Sequence, residues 1–150
     1  MTQQPLPPPD GTTVREVAGV VAAPVPATAS LLLAVRPGRV GYGNALVIAD
    51  LPAARLGALR VVAGRGPGRF RAVGGDERIA LLVDPAVRAV TVRGRSDRIY
   101  LVEPAAGGSR VVLRAVASGG DREEMRADLG RLLHVIADQL GVPECPRVEE

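Results

Sequence analysis

Residues 78–117 read RIALLVDPAVRAVTVRGRSDRIYLVEPAAGGSRVVLRAVA (Arg78–Ala117), and this stretch decides the fold. Short apolar runs recur in it, Arg78–Val83, Val87–Arg93, Arg98–Glu103 and Arg110–Ala117. Each is closed by turn residues: Asp84-Pro85, Gly94 to Asp97, and Pro104 to Gly108. Runs of five to eight residues joined by such short separators predict an antiparallel meander. Nothing of helical length lies between them, which excludes the crossovers a parallel sheet needs.

Moving toward the N-terminus, Leu59–Ala63 and Arg69–Val73 extend the same pattern, separated by Gly64-Arg-Gly-Pro-Gly68. Side chains alternate across a strand. Ile79, Leu81 and Val83 therefore oppose Arg78, Ala80 and Leu82. Val111, Leu113 and Ala115 oppose Arg110, Val112 and Arg114, and Ile99 and Leu101 oppose Arg98 and Tyr100. This reading gathers Arg60, Arg78, Arg88, Arg98, Arg110 and Arg114 on one outward face and leaves an apolar face that needs a cover.

The cover is expected C-terminally. Asp121 suits an N-cap, and Glu123 and Glu124 suit a first helical turn. Met125, Leu129, Leu132, Leu133, Ile136 and Leu140 follow at helical spacing, within about a third of the circumference, and Gly141 is a natural stop. Ahead of the meander, Thr13–Ala23 reads as a strand ended by Pro24 and Pro26. A short helix follows over Ala27–Val35, stopped by Arg36-Pro37-Gly38, and a second lies over Asn44–Leu56. The Pro-rich residues 1–11 and residues 142–150 are expected as flexible tails around one domain at 12–141.

The 150 residues are 47% hydrophobic with a net charge of +3, which excludes a disordered chain. All 19 basic residues are arginine, a composition in keeping with a GC-rich bacterial genome. Single-strand nucleic-acid binding uses aromatic platforms; Tyr42, Phe70 and Tyr100 are the only aromatics, so no nucleic-acid partner is expected. No secretory leader and no membrane-spanning run is visible, so the expected location is cytoplasmic. Cys145 is the sole cysteine, too few for a disulfide framework or a thiolate metal site, and it falls in the C-terminal tail. His134 projects about 180° from Met125 on the helical wheel, away from the apolar side. The residues point to no catalytic set, no metal site and no cofactor.

The order strand, two short helices, six strands and long helix resembles the helix-grip fold of the SRPBCC superfamily. That group includes the START lipid-transfer domains, the birch-pollen-allergen family and the polyketide cyclase/dehydratases. Val20-Val-Ala-Ala-Pro-Val-Pro-Ala-Thr-Ala29 is similar to the family's opening strand and helix. Tyr100-Leu-Val-Glu-Pro-Ala-Ala-Gly-Gly-Ser-Arg-Val-Val-Leu113 is similar to its last hairpin. The resemblance implies an α+β chain with a curved antiparallel sheet of about seven strands, two short helices after the first strand, and the long C-terminal helix packed on the concave face. It also implies a cavity between sheet and helix that holds an apolar or aromatic, lipid- or polyketide-like molecule. The family's aromatics around the first helices are missing apart from Tyr42, and no catalytic residue carries over.

Within such a cavity, Tyr42, Asn44, Thr91 and Tyr100 are the expected polar anchors. Phe70, Leu81, Leu101, Leu113, Met125, Leu129, Leu132 and Ile136 are the expected apolar lining. Tyr100 has an equal alternative, packing on the outer face with its hydroxyl in water. Gly64 to Gly68 lacks a phosphate loop's Gly-Lys-Ser/Thr ending and reads as a hairpin. Arg65, Arg69 and Arg71 nevertheless make that edge positive and leave an anionic head group or partner open. Two alternatives stand beside ligand binding: a cyclase- or dehydratase-like enzyme, and a non-catalytic interaction module whose cavity has collapsed, with a protein partner or homodimer.

Overall fold

The computed structural model describes residues 14–41, 43–49, 59–75, 77–94, 97–116 and 122–149. Their elements run β1 (Val14–Val21), α1 (Val25–Leu32), β2 (Gly38–Arg39), a 3-10 turn (Leu46–Ile48), β3 (Arg60–Ala63), β4 (Arg69–Gly74), β5 (Glu77–Asp84), β6 (Ala89–Arg93), β7 (Asp97–Ala105), β8 (Gly108–Val116), α2 (Arg122–Leu140) and β9 (Arg147–Val148). The strands form one nine-stranded sheet in the order β2-β3-β4-β5-β6-β7-β8-β1-β9. Every neighbouring pair is antiparallel, so β3 to β8 form the expected meander and β1 closes back on β8.

The expected count of about seven strands is corrected to nine. The additions are two-residue strands: β2, which pairs with β3, and β9, which pairs with β1. β9 lies within the segment expected as a C-terminal tail. The Glu149 amide donates to the Ala18 carbonyl at 2.7 Å, and Val148 packs against the core. Of the second short helix, expected over Asn44–Leu56, the described part contains the 3-10 turn Leu46–Ile48; residues 50–56 lie outside the described residues, as do Tyr42, Asp121 and the segment 1–11.

Local chemistry accounts for the junctions. Pro24 stands in extended conformation at the N-cap of α1, and Pro26 occupies the first turn, where a missing amide costs nothing. The buried Ser109 hydroxyl donates to the Ala23 carbonyl at 2.6 Å and ties this junction to β8. At the end of α2, the Val142 amide donates to the Ala137 carbonyl and the Gly141 amide to that of Asp138, with Gly141 at φ 68°. This is a Schellman cap, which needs a left-handed residue and favours glycine.

α2 packs chiefly along β1 and also touches β8, β9 and α1. Its buried stripe, Met125, Leu129, Leu132, Leu133, Ile136 and Ala137, joins Val17, Val21, Val111 and Leu113 in one core. The core-facing side chains of β3 to β6, including Val61, Ala72, Leu81 and Val90, join the same core with Val40, Leu46, Ile48 and Leu59. Among the described residues, no helix is long and apolar enough to cross a membrane.

The alternation of β5 and β8 is as expected, but β7 corrects one assignment. Arg98 turns inward, its side chain only 17% exposed, and its guanidinium donates to Asp128 of α2 at 2.8 Å. It therefore leaves the outward arginine face, on which Ile99 is exposed instead. Arg88 sits in the β5–β6 turn at φ 54°, outside the strands.

Candidate binding groove

The outer face of the sheet is built from registered rows. One row runs Val62, Arg71, Ala80, Arg93 and Asp97 across β3 to β7. The next runs Arg69, Leu82, Thr91, Ile99, Arg114 and Glu16 across β4 to β8 and on to β1. At one end of these rows the β3–β4 hairpin turns tightly: the Gly64 amide donates to the Arg69 carbonyl, and the Val83 amide to that of Gly68, each at 2.7 Å. A Cβ on Gly68 would run into the Val83 carbonyl, so this close approach needs glycine.

Between hairpin and rows lies a half-open groove of about 650 Å³, lined by residues 63–65, 69–71, 80–82, 91 and 93. That volume falls in the range of small-molecule sites. Arg69, Arg71, Ala80, Leu82, Thr91 and Arg93 belong to the outer face by register. Phe70 and Leu81 alternate with them and turn their side chains to the core, so strand backbone forms part of the floor. Among the described residues the lining holds four guanidiniums, one hydroxyl and apolar surface, and no carboxylate, imidazole or thiol. Such a set donates hydrogen bonds and attracts negative charge; it supplies no general base.

Charge is distributed unequally over this face. Arg110 binds Glu103 and, at 2.8 Å, Glu149; these two acids, Glu149 first, raise its pKa. Arg114 binds Glu16 at 2.8 Å. In the groove, by contrast, Arg65, Arg69, Arg71 and Arg93 have no ion pair or side-chain hydrogen bond among the described residues. Some apolar surface is exposed on the same face: Leu82 in the groove is 41% exposed, and Ile99, two strands along its row, is 37% exposed, while Val14 and Val87 are exposed elsewhere.

The structure separates the residues expected to share one cavity. Phe70, Leu81 and Thr91 come together at the groove. Thr91 and Leu101 face outward, correcting their placement on the cavity side; Leu101 lies in line with Ala89 and Val112. Asn44 is a buried loop stitch: its amide donates to the Arg39 carbonyl at 2.9 Å, and its carbonyl accepts from the Arg36 amide at 2.8 Å. Tyr42 lies outside the described residues. Leu113, Met125, Leu129 and Ile136 are fully buried and Leu132 nearly so; among the described residues they pack in the core instead of bordering an open chamber.

Tyr100 is buried on the core face beside Arg98, which settles its orientation against the outward alternative. Burial raises its phenol pKa, partly countered by the Arg98 guanidinium. Burial pulls Arg98 down, but hydrogen bonds to Asp128 and Tyr100 outweigh it and the net shift is upward. Arg131 also binds Asp128, completing a structural polar cluster between β7 and α2. Among the described residues no three ligating side chains gather to hold a metal.

Sequence reasoning missed Ala80, Leu82 and Arg93 as groove residues. The alternation that turns them outward is legible, but their cross-strand register is not.

Comparison with solved structures finds the crystal structure of Ara h 8.0201, with a TM-score of 0.53 and 16% identity, covering 87% of this chain and 98% of that one. Ara h 8 is a Bet v 1-like protein of the SRPBCC superfamily. The chain has a Bet v 1-like helix-grip fold. At this identity the likeness concerns architecture alone: an antiparallel sheet gripping a long C-terminal helix. No family model and no curated protein matches the sequence.

Proposed function

We propose that this protein binds a small molecule with an apolar body, and that the seat is the outer groove over β4 to β6. The observation that carries the reading is an open concavity of small-molecule size, about 650 Å³, whose floor combines Ala80, Leu82 and strand backbone and whose walls are polar. The helix–sheet interface offers less: Leu113, Leu129 and Ile136 are fully buried against their neighbours, so a guest there must first displace packed core. Burying apolar ligand surface on Leu82 supplies affinity at roughly 25 cal/mol per Å², and Thr91 offers a hydroxyl for orientation. The proposed role is binding, because the described groove residues present chiefly hydrogen-bond donors.

The test is titration with Nile red, an uncharged apolar fluorophore, followed by emission. Saturable enhancement is expected for the native chain and for Leu129→Ala, which loses about 2–5 kcal/mol of stability as a core truncation but leaves the groove intact. Leu82→Asp, a change at an exposed strand position, is expected to abolish the signal while the fold remains. Undiminished enhancement with Leu82→Asp, or its loss in folded Leu129→Ala alone, would place the ligand elsewhere and refute the groove.

A further inference from the structure

We infer that the groove's ligand is an amphipathic anion, with a phosphate-type head seated between Arg71 and Arg93 and an apolar tail laid over Leu82. The inference rests on the binding role proposed above and adds the chemical class of the ligand.

Register provides the first argument. Arg71 and Arg93 occupy the same row on either side of Ala80, two strand spacings or roughly 10 Å apart. Ala80 rises least of the three, so the row forms a slot with a guanidinium at each side. Arg71 and Arg93 both line the groove, and planar, multi-donor groups on side chains of that length can close on a tetrahedral oxyanion, which guanidinium binds in bidentate fashion. Arg69, in the adjacent row and on the same strand as Arg71, and Arg65, from the hairpin, bring further positive charge to the same groove.

Charge balance provides the second. The chain's net charge is only +3. On the β7–β8–β1 side the outer arginines are matched: Arg110 by Glu103 and Glu149, Arg114 by Glu16. The four groove arginines are unmatched among the described residues, including Arg93, whose cross-strand neighbour Asp97 forms no ion pair with it. Like charges held together without a counterion repel one another, and an anion in the slot relieves that repulsion.

Exposure provides the third. Leu82 and Ile99, among the few large hydrophobic side chains left exposed, share the row next to the slot. A head group over Ala80 therefore has apolar surface beside it, and Thr91 between Leu82 and Ile99 offers a hydrogen bond at the junction. A bare anion would leave this strip uncovered; an uncharged molecule would leave the guanidiniums unmatched.

Calorimetry with octyl phosphate, octanol, inorganic phosphate and vesicles of phosphatidylcholine containing phosphatidic acid tests the inference. Octyl phosphate is expected to bind one per chain, at least about tenfold tighter than octanol or inorganic phosphate. Arg71→Gln and Arg93→Gln should each weaken it about ten- to hundredfold, the scale of a charged hydrogen bond. Arg114→Gln, which removes a paired arginine of the same face, should leave it unchanged. Equal binding of octanol and octyl phosphate, both lost in Leu82→Asp, would overturn the anion while sparing the apolar groove. Equal binding of inorganic and octyl phosphate would overturn the amphiphile. Binding to vesicles without saturable uptake of monomeric octyl phosphate would assign the face to a membrane surface and overturn the inference. No binding of any probe would remove both readings.

Discussion

Tyr100 shows how one residue's environment sets a measurable property of the whole chain. Its phenol is buried and its pKa raised by desolvation, against the pull of Arg98. A phenol whose folded-state pKa lies above the unfolded value near 10 contributes stability that is fully present below that value. The contribution is lost as pH rises through the folded pKa, because the unfolded chain then releases the proton more readily. The chain has no lysine, so few side chains compete with Tyr100 in this alkaline window. Urea denaturation at pH 8 to 11.5 should show stability falling above about pH 10. Tyr100→Phe should cost about 1 kcal/mol at pH 8 and flatten the alkaline fall; an unchanged slope would contradict the assignment. The inward turn of Arg98 and Tyr100 was not legible in the sequence, since Ile99 and Leu101 are apolar at one parity and Tyr100 and Val102 at the other. Pairing with Ala115, Leu113 and Val111 of β8 decides between them.

Among the elements, those with strong local signals were legible. α2 has a repeating apolar stripe and a glycine stop, and both take their expected places. β9 was not, because two residues between Pro146 and Glu149 carry no periodicity and their partner, β1, lies at the far end of the chain. What holds β9 is packing and main-chain bonding: Val148 on the core, the Glu149 amide on Ala18, and the Glu149 carboxylate on Arg110. β1 makes room for this with Gly19, where a Cβ would collide with Leu133 and stand 2.7 Å from the Arg147 carbonyl. Gly19→Ala should therefore destabilise the protein by about 1–3 kcal/mol, the usual scale of overpacking. It should also abolish the slow hydrogen exchange expected of the Glu149 amide in the native chain. A fast-exchanging Glu149 amide in the native protein would mean that β9 is not held.

At the scale of the whole molecule, the helix-grip architecture was legible because the meander and α2 each announce themselves locally. The location of the proposed site was not. Alternation tells which side of a strand a residue faces, but the groove depends on Arg71, Ala80 and Arg93 falling into one row, and on the hairpin turning beside them. Register is a property of strand pairs and turn geometry, which no single run of sequence reveals. The chain's scarcity of aromatics, read as a core of branched aliphatics, has the corresponding structural result: among the described residues, Leu, Met, Ile and Val pack between α2 and the sheet. An open groove among the described residues lies on the opposite side, lined by Arg65, Arg69, Arg71 and Arg93.

Whether a ligand sits on the outer face or beneath α2 is decided by amide chemical-shift mapping during titration with octyl phosphate. Binding in the groove should give saturable shifts centred on Arg71, Ala80, Leu82, Thr91 and Arg93, with the α2 amides from Met125 to Ile136 unmoved. Shifts centred on Leu113, Leu129 and Ile136, with the β4–β6 amides still, would put the ligand between helix and sheet and contradict it.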